Sequence, residues 1–368
     1  VLGLQDLRPV VHLVRCFQML LGLGLVLACK RLGARLGGRD AGLAAGAVCA
    51  LNPAFLQYSV SPVSGVAAAL AIALGLDLLS MRGTAKRAAL GGLALGIAFL
   101  MAYQTLLISG AIVFTLLLRE RRAHFRKFLA VLGGFALGIL AQVVLDKISY
   151  GSWGVSIGNY LIENVGGVTL AALVRAGLGD QAWVRDLYEA YVSHMEGAIG
   201  AAEEGKEASL QPLGWYFTEL PSMLVEPVMV IGVIGLLRSW KQATWRSTLL
   251  LLPLLVSVGV MSLKGSKSFR LWLPLLPMIA PLCGWGWSGL VGSLAGSWGR
   301  TRRILGAALL LAAAVLGLRA LLEVNTRRYG IYWEAMEFVN EAVAEERAAM
   351  EASNEEWQRQ RVSAAYHW

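Results

Sequence analysis

The sequence predicts an all-α polytopic membrane protein, a bundle of about ten hydrophobic segments that carries one helical insertion on the exoplasmic side. Of the 368 residues, 57% are hydrophobic and only 15% are charged, a balance that soluble domains do not reach. The hydrophobic residues form runs close to the roughly 20 residues that a spanning helix needs. Many of the lysines and arginines lie between those runs, as expected for loops at a membrane surface.

Each predicted segment is a run of apolar residues that few charges interrupt. In chain order the segments are Val10 to Cys29, Ala41 to Tyr58, Ser64 to Leu79, Ala88 to Met101, Gln104 to Leu118, Phe128 to Leu145, Met223 to Leu237, Ser247 to Ser262, Leu271 to Val291 and Ile304 to Leu322. Several are shorter than about 20 residues, so we expect those helices to be tilted, buried by neighbours or re-entrant.

The orientation follows from the basic residues, because lysine and arginine in short loops mark the cytoplasmic side. The basic clusters are Lys30/Arg31/Arg35/Arg39, Arg82/Lys86/Arg87, Arg119/Arg121/Arg122/Arg126/Lys127, Arg238/Lys241/Arg246 and Arg300/Arg302/Arg303. All of them can be cytoplasmic if residues 88–118 enter and leave the membrane as a hairpin. The loops 146–221 and 264–270 are then exoplasmic. The net charge of +9 is therefore an orientation signal and does not indicate nucleic acid binding.

The predicted domain organisation is simple. Residues 1–322 form one transmembrane domain that includes the exoplasmic insertion 146–221, and residues 323–368 form a polar exoplasmic tail. The chain begins with Val1 and has no signal-like basic region, so we expect that a more N-terminal piece precedes it.

The sequence lacks the motifs of several classes of protein site. The four cysteines form no CxxC pair, which disfavours disulfide frameworks and zinc sites. Neither a GxxxxGK[ST] phosphate loop nor an HExxH helix occurs, which argues against a transport ATPase or a zinc protease.

Lys267 and Arg270 are the strongest candidate binding residues. They lie in a short loop on the predicted exoplasmic side, where positive charge is depleted. If the helix at Leu271 begins a turn early, the two side chains share a face and could clamp a phosphate, since arginine offers a planar fork and lysine a point charge. The alternative is that they pair with acids of the insertion, such as Glu219 or Glu226.

Other polar and small residues within the segments have structural or functional interpretations. Arg15, near the exoplasmic end of the first segment, is a candidate substrate-facing cation or a side chain that snorkels to the surface. Asp77, near a cytoplasmic end, is expected to pair with a loop arginine or to meet water. Two small-residue pairs predict close helix packing within the chain: Gly92/Gly96 and Gly134/Gly138.

The basic loop and three other motifs resemble integral-membrane glycosyltransferases of the GT-C fold. The similarity is to glycosyltransferase family 22, the dolichyl-phosphate-mannose-dependent mannosyltransferases, and to their bacterial relatives. That family has a His-Lys-Glu-x-Arg-Phe motif running into Leu-Pro-Leu-Leu-Pro, which aligns here on Leu273 to Pro277 and places the family's Lys and Arg on Lys267 and Arg270. The family's His and first acid fall on Ser266 and Ser268, a departure that suggests a diverged or bacterial branch.

The remaining motifs lie upstream in the same order as in the family. Asp146 to Trp153 looks like its Asp-x-x-x-Tyr-Gly-x-Trp turn, and Asn159 to Asn164 like its Asn-Tyr-Leu-x-x-Asn segment. Gln211 to Leu220 is similar to its Pro-x-x-Trp-Tyr-x-x-x-Leu segment. Met101 to Thr105 falls where relatives often carry an arginine, which is absent here.

The resemblance implies transfer of a sugar, with mannose expected, from a polyprenyl-phosphate donor to a lipid-linked or glycan acceptor on the exoplasmic face. A carboxylate acts as general base and cations stabilise the departing phosphate. Family members carry that carboxylate in the first exoplasmic loop, which would lie upstream of Val1; within this sequence Asp6 is the candidate. Some members of the fold use a divalent cation, although no tight acidic cluster here argues for one, and no other cofactor is expected.

Aromatic and amide side chains in the motifs are candidate ligands for the sugar or the isoprenoid chain, and the alternative for the aromatic ones is an interfacial belt. They are Tyr150, Trp153, Asn159, Tyr160, Trp215 and Tyr216.

Two other functions stay open. A non-enzymatic transporter or flippase of a lipid-linked sugar would share the exoplasmic cations, but the inverted repeats common in transporters are not evident. An inactive glycosyltransferase-like scaffold is the second alternative. The Ala/Leu/Gly/Arg-rich composition and the absence of an N-x-[ST] sequon favour a bacterial inner membrane over the endoplasmic reticulum.

Overall fold

The computed structural model describes residues 8–59, 64–81, 84–119, 125–199, 212–218, 224, 226–242, 244–263 and 269–293, with isolated positions at 308, 312, 315 and 319. The described residues are almost entirely helical and include no strand. The predicted all-α class is confirmed. All contacts given below lie within one compact unit, Val1–Leu318.

The helices follow the predicted apolar segments closely. They are α1 (Arg8–Ala50), α2 (Pro53–Ser59), α3 (Gly65–Ser80), α4 (Ala85–Met101), α5 (Thr105–Arg119), α6 (Phe125–Tyr150), α7 (Val155–Leu161), a π-helical turn (Ile162–Gly166), α8 (Gly167–Arg175), α9 (Ala182–Ile199), α10 (Trp215–Thr218), α11 (Glu226–Gln242), α12 (Trp245–Leu263), a 3₁₀ helix (Phe269–Leu275) and α13 (Leu276–Ser293). Every predicted segment up to Leu271–Val291 overlaps one of them. The segment Ile304–Leu322 and the tail 323–368 lie largely or wholly outside the described residues, so the domain boundary stays a prediction.

Helix α1 is a helical hairpin. Gly37 and Gly38 have non-helical backbone angles, and Gly38 has a φ of 84°, a conformation that only glycine adopts without strain. The arms then run antiparallel, because a Cβ on Gly42 would lie 2.7 Å from the Cβ of Ala34 and one on Gly46 would lie 3.2 Å from that of Lys30. The hairpin accounts for two predicted segments with a basic turn between them.

The second predicted segment ends earlier than expected. It was predicted to continue to Tyr58, but α1 stops at Ala50 and α2 begins at Pro53. The side chain of Asn52 accepts a hydrogen bond from the backbone N–H of Phe55 at 3.0 Å, an N-cap that, with proline in the first helical position, starts a new helix.

An ion-pair cluster marks one end of the bundle, which we call the basic end. The carboxylate of Asp77 lies 2.8 Å from Nη1 of Arg35 and 3.2 Å from Nε of Arg31. Arg35 also donates to the hydroxyl of Ser80 at 3.0 Å, and Arg246 donates to the carbonyl of Arg35 at 2.7 Å. The prediction that Asp77 pairs with an arginine is confirmed. Two of the predicted basic clusters supply side chains or backbone near this end, since Arg238, from the same cluster as Arg246, contacts Trp285 and Ser288 on α13.

Helices α4 and α6 pack through their small residues. A Cβ built on Gly92 would lie 2.0 Å from the carbonyl oxygen of Val131, and one on Gly138 would lie 2.5 Å from the backbone of Gly96. No side chain larger than hydrogen fits at these distances. The predicted intramolecular role of the Gly92/Gly96 and Gly134/Gly138 pairs is confirmed.

The opposite end of the bundle, which we call the aromatic end, contains Tyr103, Tyr160, Tyr216 and Trp272. Helices α3 and α4 are antiparallel, because Gly75 lies against Leu95 and Gly91 lies against Leu79. The end of α4 that leads to Tyr103 is therefore remote from Asp77.

Within the described residues, four helical stretches are long and apolar enough to cross a membrane: His12–Ala50, which includes the turn of the α1 hairpin, Phe125–Tyr150, Val155–Arg175 and Trp245–Leu263. The third was not among the predicted segments and lies inside the predicted insertion. Its two ends contact the same end of the bundle, since Tyr160 packs on Tyr103 and Arg175 reaches Leu263 at the end of α12. These contacts place Val155–Arg175 across the aromatic end, as an insertion would lie.

Candidate functional site

The helix that follows the basic loop begins two residues before the predicted Leu271. The 3₁₀ helix Phe269–Leu275 contains the backbone of Arg270 and leads directly into α13. Pro274 lies within the 3₁₀ helix, where its ring and missing N–H disfavour a regular α-helix through this position. The backbone of Arg270 therefore lies in the first turn of a helix at the aromatic end. A Cβ on Gly65, at the end of α3 remote from Asp77, would lie 3.1 Å from the side chain of Leu273 in this helix.

Some candidate groups lie outside the described residues. Lys267 and Asp6 are among them, as is Glu219, and the side chains of Arg270 and Glu226 are not described. The phosphate clamp and its alternative, pairing with acids of the insertion, both stay predictions.

Three aromatic residues pack together beside the 3₁₀ helix. The ring of Tyr216 lies 5.6 Å from that of Trp272 and 5.1 Å, edge-on, from that of Trp215. Tyr216 is 1% exposed and Trp272 is 7% exposed, whereas Trp215 is partly accessible. Trp215 is thus the member of the cluster that offers surface to a ligand, and Tyr216 packs it against the helix of Arg270. Trp272 was not a predicted site residue, although it lies in the motif that singled out Arg270.

A second aromatic contact joins the insertion to the bundle. Tyr160 on α7 lies 5.8 Å, ring to ring, from Tyr103, which in turn lies 5.4 Å from the buried Phe99. Tyr103 occupies the break between α4 and α5, in the segment where relatives often carry an arginine. The sequence signal for this contact was an aromatic residue at a break between two apolar segments, and Tyr103 was not predicted as a site residue.

A buried carboxylate organises the turn between α6 and α7. Asp146 is 0% exposed, and its oxygens accept hydrogen bonds from the side chain of Gln142 at 2.7 Å and from the hydroxyl and the backbone N–H of Ser156 at 2.7 and 2.9 Å. These donors satisfy a carboxylate that burial would otherwise penalise. Asp146 is therefore a structural residue in this arrangement and is not placed to act as a general base.

The turn that Asp146 closes presents its aromatic residues outward. Tyr150 and Trp153 are 66% and 65% exposed. The ammonium of Lys147 lies 5.7 Å from the ring centre of Trp153 and donates to the carbonyl of Gly151. Asn159, on α7, is also exposed. Exposed aromatic rings beside a cation are suited to a membrane interface as well as to a sugar.

Arg15 lies on the first arm of α1. Its side chain is partly exposed, and the residues that the structure describes form no ion pair with it. The substrate-facing role of Arg15 stays a prediction.

Arg175, which was not predicted as a site residue, reaches the helix that leads into the basic loop. Its guanidinium donates a hydrogen bond to the carbonyl of Leu263, the last residue of α12. The two residues are 88 positions apart, so no local sequence signal could reveal the contact.

The described part of the chain contains no group of three or more His, Cys, Asp or Glu side chains that could hold a metal ion. The involvement of a divalent cation stays a prediction.

This arrangement of helices and the first half of the sequence both have counterparts among known proteins. Residues 2–171 match the Alg9-like mannosyltransferase family. The structure is similar to that of ArnT from Cupriavidus metallidurans in the apo state, with a TM-score of 0.51 and 15% identity. The chain has the GT-C glycosyltransferase fold. The resemblance inferred from the motifs is confirmed, and the family match supports the prediction of a glycosyltransferase.

Two archaeal structures share the GT-C fold with this chain. One is the oligosaccharyltransferase of Archaeoglobus fulgidus in complex with zinc and sulfate, with a TM-score of 0.53 and 15% identity, over 84% of this chain and 41% of that one. The other is the oligosaccharyltransferase AglB from the same organism in complex with an inhibitory peptide and a dolichol-phosphate, with a TM-score of 0.50 and 14% identity, over 85% of this chain and 44% of that one.

These matches cover most of this chain but only part of the known proteins. The ArnT match covers 82% of this chain and 49% of ArnT, so the chain spans about half the length of ArnT and less of the two archaeal proteins. No curated protein matches the chain. The family match includes the turn at Asp146 and the segment Asn159 to Asn164, but it ends before Lys267 and Arg270.

Proposed function

We propose that this chain belongs to a membrane glycosyltransferase that transfers the hexose mannose from a polyprenyl-phosphate donor to a lipid-linked or glycan acceptor. The observation that carries the proposal is the convergence of separate motifs at one end of a GT-C bundle. Tyr160, Trp215 and the helix that begins at Phe269 all lie at the aromatic end, although they are distant in sequence. We assign the reaction to the aromatic end, and we assign the aromatic end to the exoplasmic side of the membrane.

The assignment of the side rests on charge. The opposite end carries Arg31, Arg35, Arg238 and Arg246, as expected for the cytoplasmic surface. A bacterial inner membrane is favoured over the endoplasmic reticulum by the composition and by the lack of glycosylation sequons.

In the proposed reaction an acceptor hydroxyl attacks the anomeric carbon of the donor. The bond between that carbon and the phosphate oxygen breaks, and its electron pair leaves with the polyprenyl phosphate. Lys267 and Arg270 stabilise the negative charge on this leaving group, and a carboxylate takes the acceptor proton. The hydrogen bonds that occupy Asp146 argue against it in that role, and Asp6 is the candidate base.

The choice of donor has indirect support. The structure of AglB, a protein of the same fold, is a complex with a dolichol-phosphate, which is a polyprenyl-type phosphate. The partial accessibility of Trp215 beside the helix of Arg270 supports our assignment of this residue to contact with a sugar or the first isoprene units.

The test is transfer of radiolabelled mannose from polyprenyl-phosphate-mannose by membranes that express the protein. We expect label in a lipid or glycan acceptor, and its loss in Arg270→Ala and Lys267→Ala at unchanged expression. Lys86→Ala and Arg185→Ala, which remove exposed charges elsewhere, should retain transfer. Near-normal transfer in both clamp variants would overturn the assignment of the cations.

A negative result with every polyprenyl-phosphate sugar, in well-expressed protein, would overturn the enzyme proposal. Movement of a lipid-linked sugar across vesicles without chemical change would then favour a transporter. The absence of both transfer and transport would favour an inactive scaffold.

A further inference from the structure

Arginine side chains from three helices converge at the basic end. Arg35, on the first arm of α1, pairs with the carboxylate of Asp77 on α3 at 2.8 Å. Arg31, Arg87 and Arg246 all lie near enough to act electrostatically on the Arg35 guanidinium. Arg87, on α4, brings a third predicted basic cluster to this end, and Arg246 comes from α12. Only the folded bundle assembles these four arginines, which we call the arginine cluster.

The arginine cluster carries more positive charge than its acid neutralises. Among the described charges that act on Arg35, one is the carboxylate of Asp77 and three are guanidiniums. Arg35 is the largely buried partner of that carboxylate, with a side chain that is 16% exposed. Arg31 also approaches the carboxylate, but its side chain is 65% exposed, and Arg87 and Arg246 are exposed as well. The last three guanidiniums therefore present excess positive charge at the surface.

The same surface becomes apolar one helical turn further into the bundle. Exposed leucines are ordinary where a membrane protein faces lipid, but three of them share a helix face with a charged residue of this end, since they lie three or four positions away from it. The first arm of α1 and helix α3 run towards the basic end and α4 runs away from it, so each leucine lies on the inward side of its charged neighbour. The pairs are Leu27 with Arg31 on α1, Leu74 with Asp77 on α3 and Leu90 with Arg87 on α4.

We propose that Arg31, Arg87 and Arg246 form a binding site for the headgroup phosphate of an anionic phospholipid in the leaflet at the basic end. A guanidinium offers phosphate oxygens a planar pair of donors, and basic pockets between spanning helices on the cytoplasmic side of a membrane recognise such headgroups. The exposed leucines favour a lipid over a free phosphate, because they offer apolar surface to the acyl chains. The inference goes beyond the proposed function, since neither the transfer reaction nor the aromatic end enters it.

A specific site differs from the general attraction between a basic protein surface and an anionic membrane. General attraction depends on the number of cations at the surface, so any exposed lysine or arginine at the basic end would contribute alike. A site depends on the residues that converge. Lys241, exposed near the end of α11, separates the two cases, because it lies one helical turn beyond Arg238 at the same end and is not a member of the arginine cluster.

The experiment measures binding to the full chain by native mass spectrometry in a neutral detergent, with one probe added at a time. Dioleoyl-phosphatidylglycerol is the anionic lipid, dioleoyl-phosphatidylcholine has the same chains without net charge, and glycerol phosphate has the anionic group without chains. We expect saturable binding of phosphatidylglycerol and much weaker binding of the other two probes. Equal binding of the two lipids would overturn the role of the arginines, and equal binding of glycerol phosphate would overturn the assignment to a lipid.

Variants test the residues themselves. Arg31→Ala and Arg87→Ala remove exposed side chains and leave the buried pair of Arg35 with Asp77 in place. The contribution of one cation near a membrane surface predicts a loss of roughly fivefold in affinity for phosphatidylglycerol in each variant. Lys241→Ala is the matched control and should bind like the wild type.

An equal loss in Lys241→Ala, or full affinity in the double variant Arg31→Ala/Arg87→Ala, would overturn the site. Size-exclusion chromatography shows whether each variant is folded. The comparison of the three probes on the wild-type protein requires no substitution, so it tests the proposal even where a variant fails to fold.

Discussion

Asp146 accepts hydrogen bonds from both the hydroxyl and the backbone N–H of Ser156, ten residues further along the chain. This pair joins the end of α6 to the first turn of α7, where backbone N–H groups lack helical partners. The carboxylate thus acts as a remote N-cap, and the residues between, including Tyr150 and Trp153, form a closed loop that projects outward.

Replacing Asp146 by Asn should destabilise the protein by about 1–3 kcal/mol, because one amide cannot accept from Ser156 and Gln142 as a carboxylate does. Thermal unfolding in detergent measures the change. Ser156→Ala should cost less, since the backbone hydrogen bond remains. The exposed Asp180→Asn is the control and should leave the midpoint unchanged. An Asp146→Asn midpoint equal to that of the control would contradict the capping role.

The packing of α4 on α6 predicts opposite outcomes for two adjacent glycines. A Cβ on Gly134 would lie 2.1 Å from the carbonyl oxygen of Ala89, whereas one on Gly133 would meet nothing within 4 Å. Gly134→Ala should therefore destabilise by about 1–3 kcal/mol or more through overpacking. Gly133→Ala should be neutral or stabilise by up to about 1 kcal/mol, through helix propensity alone. Equal effects of the two substitutions on the unfolding midpoint would refute this packing.

The cluster at the basic end predicts a cost for neutralising its acid. Asp77→Asn should destabilise by about 3 kcal/mol, because it leaves the largely buried guanidinium of Arg35 without its carboxylate. The exposed Arg31 should contribute much less, since it is screened by water. A double-mutant cycle with Arg35→Met would measure the pair directly. Additive effects would argue that the ion pair does not couple the two helices.

The contact between Tyr103 and Tyr160 predicts coupled effects on donor binding. If this pair holds α7 at the site, Tyr103→Ala and Tyr160→Ala should each raise KM for the lipid-linked sugar, and the double variant should do little more than either. The expected coupling is about 0.5–1.5 kcal/mol, as for other aromatic pairs. Tyr188→Ala, an exposed position on α9, is the control. Independent effects would mean that the two rings do not act together.

Much of the helix pattern could be predicted because it depends on composition along the chain. Runs of apolar residues identified α3 to α6 and α11 to α13, and the basic residues near Gly37 and Gly38 indicated a turn. The extra apolar stretch Val155–Arg175 was not recognised as one continuous helical element, because its glycines and polar residues resemble a loop. Its attachment at both ends to one end of the bundle is a tertiary property.

The candidate site was only partly predictable for the same reason. Motif spacing singled out Arg270, Tyr160 and Trp215, because each lies within a recognisable sequence motif. Arg175 lies in no such motif, and its partner is a backbone carbonyl, which no residue type in the sequence reveals. Trp272 and Tyr103 are buried or half-buried rings whose partners come from distant segments.

The close glycine contacts also bear on how this protein meets bilayers of different thickness. Besides the α4–α6 contact, a Cβ on Gly286 would lie 2.2 Å from the carbonyl of Ile231, and one on Gly284 would lie 2.2 Å from that of Ala41. Helices in such contact cannot slide along one another without collision of their backbones. A mismatch between protein and membrane must therefore be absorbed by deformation of the lipid or by tilting of the bundle as one body.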